Sequence, residues 1–171
     1  MTAKQWRARV ITCSDSAARG EREDRSGPAT LAVLEKAGFV VDRVEIVPDD
    51  SERIAGAITR AIDEENVNLV ITTGGTGIAR SDVTPEATIS VAQRLIPGFG
   101  ELMRARSLIK TPMAPLSRAQ AATRGSALIV NLPGSESGAV ENLQSVLELI
   151  PHALELLTSD HIEVHPDASR R

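Results

Sequence analysis

The 171-residue chain has no tyrosine, two phenylalanines and one tryptophan. Aromatic platforms on which single-stranded bases could stack are therefore scarce. The net charge of −4 lacks the basic excess that a nucleic-acid face needs, so no nucleic-acid partner is expected. The single cysteine, Cys13, precludes an internal disulfide and has no companions for a zinc ligand set. No apolar stretch approaches the roughly 20 residues of a membrane span. The stretch Met1-Thr2-Ala3-Lys4-Gln5-Trp6-Arg7 lacks the apolar segment of a signal peptide. A cytoplasmic protein with no membrane contact is the expectation, and the lone thiol suits a reducing compartment. His152 falls on the last helix and His161 and His165 in a polar tail, so no catalytic histidine pair is in prospect. These absences leave a small molecule as the expected partner.

What is present centres on Asn68-Leu69-Val70-Ile71-Thr72-Thr73-Gly74-Gly75-Thr76-Gly77, followed by Asp82-Val83-Thr84-Pro85-Glu86. An unbroken apolar run ending in two β-branched threonines reads as a parallel strand covered on both faces. Three glycines stop it, and without Cβ their amides can approach a ligand closely and adopt positive φ. Thr84 offers an N-cap oxygen, Pro85 fits the first helical position and Glu86 the first turn. Strand, glycine loop and helix start in this order make a cradle for anions, phosphate above all. It is neither of two familiar phosphate motifs. A Walker A loop needs Gly-Lys-Ser/Thr, and Arg80 is the only cation between Gly74 and Ala87; the G-x-G-x-x-G fingerprint fails because Arg80 stands three positions after Gly77.

Taken in order, residues 8–13 read as a first strand ending in Ser14-Asp15-Ser16, and 17–24 as a polar loop. Arg19, Arg22 and Arg25 alternate there with Glu21, Glu23 and Asp24, the pattern of a solvated loop. A helix begins at Ser26-Gly27-Pro28 and stops at Gly38. Residues 39–47 alternate apolar and charged side chains, a half-exposed strand, and 52–65 carry Ile54, Ala57, Ile58, Ala61 and Ile62 at helical spacing. Further helices are expected over 85–95, ending at the breaker Pro97-Gly98-Phe99-Gly100, and over 101–109. Residues 110–122, with Pro112 and Pro115, read as an excursion or short hairpin. A buried strand over 127–132 runs into Pro133-Gly134-Ser135, and a helix over 138–158 is interrupted at Pro151. Alternating strands and helices imply right-handed crossovers and an α/β domain over 1–158, a three-layer α/β/α sandwich with a mostly parallel sheet, plus a polar tail over 159–171.

In such a sheet, ligands sit beyond the strand carboxyl ends. Ser14-Asp15, the glycine loop, Asn131 to Ser135 and Asp49 should share that rim. Asp49, Asp50 and Ser51 all precede a helix that only one of them can cap, so at least one carboxylate there has no structural task. Asp82 could instead hydrogen-bond its own loop. Carboxylates beside bound phosphate repel it unless a divalent cation lies between, so Asp49 and Asp82 imply Mg²⁺ if they converge. Ser117-Arg118 in the excursion offers either an anion site or a solvated surface pair.

Together these stretches resemble the molybdenum-cofactor biosynthesis family that includes MogA and MoaB and the equivalent domains of fusion proteins such as gephyrin. Ile96-Pro97-Gly98-Phe99-Gly100 and Asp24-Arg25-Ser26-Gly27-Pro28 extend the likeness across nearly the whole chain outside the tail. The resemblance implies a molybdopterin-binding α/β/α domain that forms homotrimers. It implies transfer of AMP from Mg-ATP to the terminal phosphate of molybdopterin, with release of pyrophosphate. It makes Asp49 and Asp82 the catalytic and Mg²⁺-holding pair. Ser14, Thr73, Gly74, Gly75, Thr76 and Gly77 become substrate-binding residues, as do Asn131, Pro133, Gly134 and Ser135. The chain has no room for the molybdate-inserting domain of the fused relatives, so a hand-off to a separate protein is expected. Two alternatives stay open: a MoaB-type protein that binds molybdopterin without turnover, and a nucleotide pyrophosphatase. The competence-damage family, which hydrolyses nucleotide pyrophosphates, carries Gly-Gly-Leu-Gly where Gly74-Gly75-Thr76-Gly77 stands here, which disfavours it.

Overall fold

The computed structural model describes residues 5–159 of the chain. Its sequence of elements is β1 (Arg7–Cys13), a one-turn α1 (Asp15–Ala18), α2 (Ser26–Lys36), β2 (Val40–Val47), α3 (Ser51–Thr59), β3 (Leu69–Thr73) and α4 (Thr84–Val91). β4 (Arg94–Ile96), α5 (Pro97–Leu108), β5 (Ala121–Arg124), β6 (Ala127–Leu132), α6 (Glu136–Val146) and α7 (Ile150–Thr158) complete it. α3 continues as a π-helical turn over Arg60–Glu64, which ends the helix expected to reach residue 65. The tail expected from residue 159 lies, from Asp160 onward, outside the described residues, as do His161 and His165. No helix among the described residues is long and apolar enough to cross a membrane.

The strands form one six-stranded sheet in the order β2-β1-β3-β6-β5-β4. β2, β1, β3 and β6 run parallel, while β5 and β4 continue the sheet antiparallel. The sheet is thus mostly parallel, with helices on both faces. Strand alternation sorts the side chains: Ala8, Val10, Leu69, Ile71, Leu128 and Val130 face α2, α5, α6 and α7, contributing to a core with Leu34, Met103, Leu143 and Leu154. Ile11, Cys13, Val70 and Ile129 face α3 and α4, against Ile54, Ile58 and Ala87. Both faces of β3 are covered, which is why all five of its residues are buried and its sequence shows no alternation.

Edge strand β2 carries a bulge. Ala8 pairs with Val41 but Val10 with Val44, so β2 spends one extra residue there. Val41 and Val44 consequently pack on one face despite their odd spacing, and Asp42 and Glu45 reach Arg9 on the other.

Three expectations fail in the middle of the chain. The helix over 85–95 stops at Val91, because residues 94–96 pair with β5 as an edge strand. Pro97, read as a breaker, opens α5, where proline's missing N–H costs nothing and its fixed φ suits the helix. Thr84 caps nothing: the cap position of α4 is Val83, without a side-chain bond. Thr84 is fully buried, and its hydroxyl has no hydrogen-bond partner among the described residues. The stretch 110–122 resolves into a 3₁₀ turn (Ala114–Leu116) and β5, which forms a hairpin with β6. Pro151 does end a helix: a 3₁₀ turn at Leu147–Leu149 separates α6 from α7, and the proline takes up the start of the latter.

Candidate active site

Four parallel strands end on one rim, and there the chain leaves a cleft of about 480 Å³. Its lining includes Cys13 and Ser14 at the end of β1, Asp49 after β2, Thr73, Gly74 and Gly75 at the end of β3, and Gly134 and Ser135 after β6. Asp82 closes it from the far side of the glycine loop. Of the residues singled out in the sequence, Ser14, Asp49, Thr73, Gly74, Gly75, Asp82, Gly134 and Ser135 therefore converge. Thr76 and Gly77 lie further along the loop and outside the cleft lining. Pro133 lines an adjoining cleft of about 380 Å³ that shares Ser135 and is walled by α5 and α6. Asn131 is set back: it is fully buried in β6 and donates to the Thr72 and Thr88 hydroxyls at 2.9 Å each, tying α4 to the sheet.

The loop is shaped by backbone contacts that exclude a Cβ. Gly74 has φ +94° and Gly75 +64°. A side chain on Gly74 would run into the Cys13 carbonyl, and one on Gly75 into the Thr84 hydroxyl. Gly74 also donates to Leu132 O at 3.0 Å, and a Cβ on Gly134 would come within 3.1 Å of the Gly74 Cα. The loops after β3 and β6 are thereby pressed together as one floor. Beyond them Ser135 caps α6, accepting from Gly138 N at 3.2 Å, so a helix N-terminus faces the cleft.

The competition among Asp49, Asp50 and Ser51 is settled by Asp50, which caps α3 by accepting from Arg53 N at 2.9 Å. Asp49 is freed for the cleft but not idle. Its Oδ2 accepts from Asp15 N and its own N–H donates to Asp15 Oδ1, both at 3.0 Å. This reciprocal bracket joins the ends of β1 and β2 and fixes the carboxylate. Partial burial pushes the Asp49 carboxyl above its usual range; the Asp15 amide opposes this, and the charges of Asp15 and Asp82 add to it. Asp82 accepts from Ala79 N at 2.8 Å through Oδ2, the local bond open to a loop aspartate. Each of the two carboxylates keeps its Oδ1 free of hydrogen bonds among the described residues.

The segment 19–25, read as a solvated loop, partly overturns that reading. Arg19 pairs with Glu21 in solvent, but Arg22, Glu23, Asp24 and Arg25 line the cleft. Asp24 accepts from the Thr12 hydroxyl at 2.7 Å and from Gly27 N at 3.0 Å, serving the first turn of α2 where the cap residue Arg25 makes no side-chain capping bond. Thr73 meets Ser26 at 2.9 Å beneath it. The sequence signal was an acidic residue two positions ahead of a helix start. Cys13 reaches the cleft only as a buried thiol, pushed up to about 12 by desolvation, so it stays protonated. Of the two readings for Arg118 the surface pair is the nearer: its half-exposed guanidinium pairs with the exposed Glu86, while its other edge donates to the glycine-loop carbonyls Gly77 O and Asp82 O.

Comparison with known proteins identifies the family. Residues 9–152 match the family described as "Probable molybdopterin binding domain". The molybdopterin adenylyltransferase of Helicobacter pylori is 41% identical over 160 residues, covering 91% of this chain and 90% of that one. The Escherichia coli protein of the same name is 37% identical over 172 residues, covering 92% and 88%. Among solved structures, the molybdopterin biosynthesis enzyme MoaB of Thermus thermophilus superposes with a TM-score of 0.85 at 47% identity, over 90% of this chain and 97% of that one. With a matched region spanning strands β1 to β6 and the whole rim, the chain belongs to the molybdopterin-binding domain family of molybdenum-cofactor biosynthesis proteins.

Proposed function

We propose that this protein is a molybdopterin adenylyltransferase that moves AMP from Mg-ATP to the terminal phosphate of molybdopterin and releases pyrophosphate. The observation that carries the proposal is the convergence of Asp49 and Asp82, from two different strand ends, on a cleft floored by the amides of Gly74 and Gly75. In the reaction a terminal phosphate oxygen of the pterin forms a bond to the α-phosphorus of ATP. The bond from that phosphorus to the bridging β-oxygen breaks, and pyrophosphate leaves with the electron pair. The attacking oxygen is already ionised near neutral pH, so the site needs no strong base. It needs orientation and charge balance.

Gly74 and Gly75 supply close amides, Ser135 brings the α6 N-terminus, and Arg22 and Arg25 bring cations to the rim. No group of three or more acidic, histidine or cysteine side chains that could cage a metal occurs among the described residues. Two carboxylates with one free oxygen each fit a cation that takes its remaining ligands from phosphate and water, as Mg²⁺ does. Asp49 and Asp82 are the residues that would hold it, and the chemistry it would supply is neutralisation of triphosphate charge. Asp49, raised first by partial burial and then by its acidic neighbours, would gain from such a cation.

The proposal extends to a homotrimer in the cytoplasm that passes adenylylated pterin to a separate molybdate-inserting protein. What the names of the relatives in H. pylori and E. coli support is the adenylyl transfer itself. The decisive experiment measures pyrophosphate released from Mg-ATP with and without molybdopterin. Release that depends on the pterin is expected. Pterin-independent release would establish a nucleotide pyrophosphatase instead, and pterin capture with no release, unchanged in Asp49→Ala, a binding protein.

A further inference from the structure

We infer that Arg118, which is not among the residues lining the cleft, is the positioning residue that closes the loop carrying Asp82. The inference rests on the adenylyl-transfer reading for its effect on turnover, but on geometry alone for the closure. The edge of the guanidinium formed by Nε and Nη2 donates to two carbonyls of one loop: Gly77 O at 2.7 Å and Asp82 O at 2.6 Å. Its opposite nitrogen, Nη1, pairs with Glu86 in the first turn of α4. The backbone N–H of Arg118 donates to Thr76 O at 2.7 Å. One residue thus holds both ends of the segment 77–82 and the helix start after it.

The span it bridges is the one that sets the Asp82 carboxylate. Asp82 folds back so closely that a Cβ on Gly77 would lie 2.7 Å from its Oδ2. Moving either end of the loop therefore moves the acid. Arg118 is itself held from behind: Arg104 Nη1 donates to Ser117 O at 3.2 Å and to Ala119 O at 2.8 Å, the carbonyls on either side of it. Two carbonyls five residues apart need a planar fork with donors in fixed directions. A lysine ammonium offers the charge without the fork. All three guanidinium nitrogens of Arg118 are thus engaged by protein atoms.

The test compares the full chain with Arg118→Lys and Arg118→Gln, with Glu86→Gln as the control that removes the ion pair alone. Melting temperature, amide hydrogen exchange of the peptide spanning 76–86, and kcat and KM with Mg-ATP and molybdopterin are read for each. In both Arg118 variants, exchange over 76–82 should quicken by about tenfold or more, the scale of losing a charge-assisted bond. Exchange of β3 and β6 should stay unchanged. The kcat should fall about 10- to 100-fold, as for a slightly misplaced catalytic group. KM for molybdopterin should stay within about twofold, and Glu86→Gln should keep kcat within about twofold, since it leaves both loop carbonyls bonded. Unchanged loop exchange, exchange rising equally throughout the fold, or a raised KM at constant kcat would each overturn the inference. A wild-type protein with no pterin-dependent turnover would remove the adenylyl-transfer reading, and the exchange data would then decide the closure alone.

Discussion

Strands β1 and β2 gather carboxylates at both of their ends, and the two gatherings are built on opposite plans. On the α3 face around Arg9, the guanidinium is fully buried and meets Asp42 through two bonds at 2.9 and 2.7 Å, Glu45 at 3.3 Å, and Glu65. Arg43 and Arg60 close the cluster from outside. Bonds to Arg9 hold Asp42 and Glu65 below the usual carboxylate range and raise the guanidinium still further above neutrality. At the cleft end, Asp15, Asp49 and Asp82 meet backbone amides and one another, and Asp49 moves the other way. In the Arg9 cluster each acid is matched by a cation within the chain. At the cleft, Asp49 and Asp82 bond backbone amides and pair with no basic side chain among the described residues. Position on the sheet does not separate the two plans; the sign of the neighbours does.

Substitutions can break this contrast, and the largest effect belongs to the cleft. Asp49→Asn keeps an acceptor for the Asp15 amide but removes the charge, so pyrophosphate release should fall by about 10²–10³-fold, the range for losing a preorganised charge-stabilising group. The fold should gain. Because Asp49 holds its proton more tightly in the native state than in the unfolded chain, stability is lost as pH rises between the two pKa values and stays lower above them. The variant should therefore melt at or above the wild-type temperature at pH 7. Below about pH 4, where the unfolded carboxyl is protonated too, the two melting curves should converge.

Arg9→Met is the mirror experiment. It leaves three acids around an uncharged side chain and should cost about 3 kcal/mol in urea unfolding, the low end for breaking a buried pair, because all three partners keep some contact with water. Asp42 and Glu65 sit below their ordinary range in the native state, so their contribution is present at neutral pH and drains away as pH falls through their native pKa values. In Arg9→Met that acid limb should flatten. A variant that unfolds like wild type, or keeps a full acid limb, would remove the distinction between the two clusters.

Smaller effects sharpen the assignment of neighbours. Asp50→Ala, next to Asp49 but capping α3, should lose about 1 kcal/mol of stability and leave turnover within twofold. At the bottom of the scale, native Cys13 should resist iodoacetamide at pH 8, since its thiol is pushed up to about 12, and should react fully only when the chain is unfolded in urea.

Much of this was legible from residues alone where the signal is local. The apolar runs at β3 and β6 announced themselves because both faces are buried, and the rim followed from their order along the chain. Asp49 and Asp50 are equal cap candidates by spacing; the reciprocal bonds with Asp15 that set Asp49 apart join two strand ends, beyond the reach of any local pattern. The antiparallel edge was hidden for physical reasons. β5 is Ala121-Ala122-Thr123-Arg124, with little β-branched character, and it is held by pairing with β6 and not by propensity. β4 has three residues whose Leu95 and Ile96 fit a helical stripe as well as a strand. Pro97 could equally stop one helix or start another. Arg9 and Arg118 were opaque for a further reason: their partners lie more than thirty residues away, and no spacing rule reaches that far.

The missing side chains at Gly74 and Gly134 have a mechanical consequence. With nothing between those two backbones, the bend after the third strand cannot slide without pushing the bend after the sixth. A guest gripping one bend would therefore press on both, coupling the two halves of the rim through bare main chain.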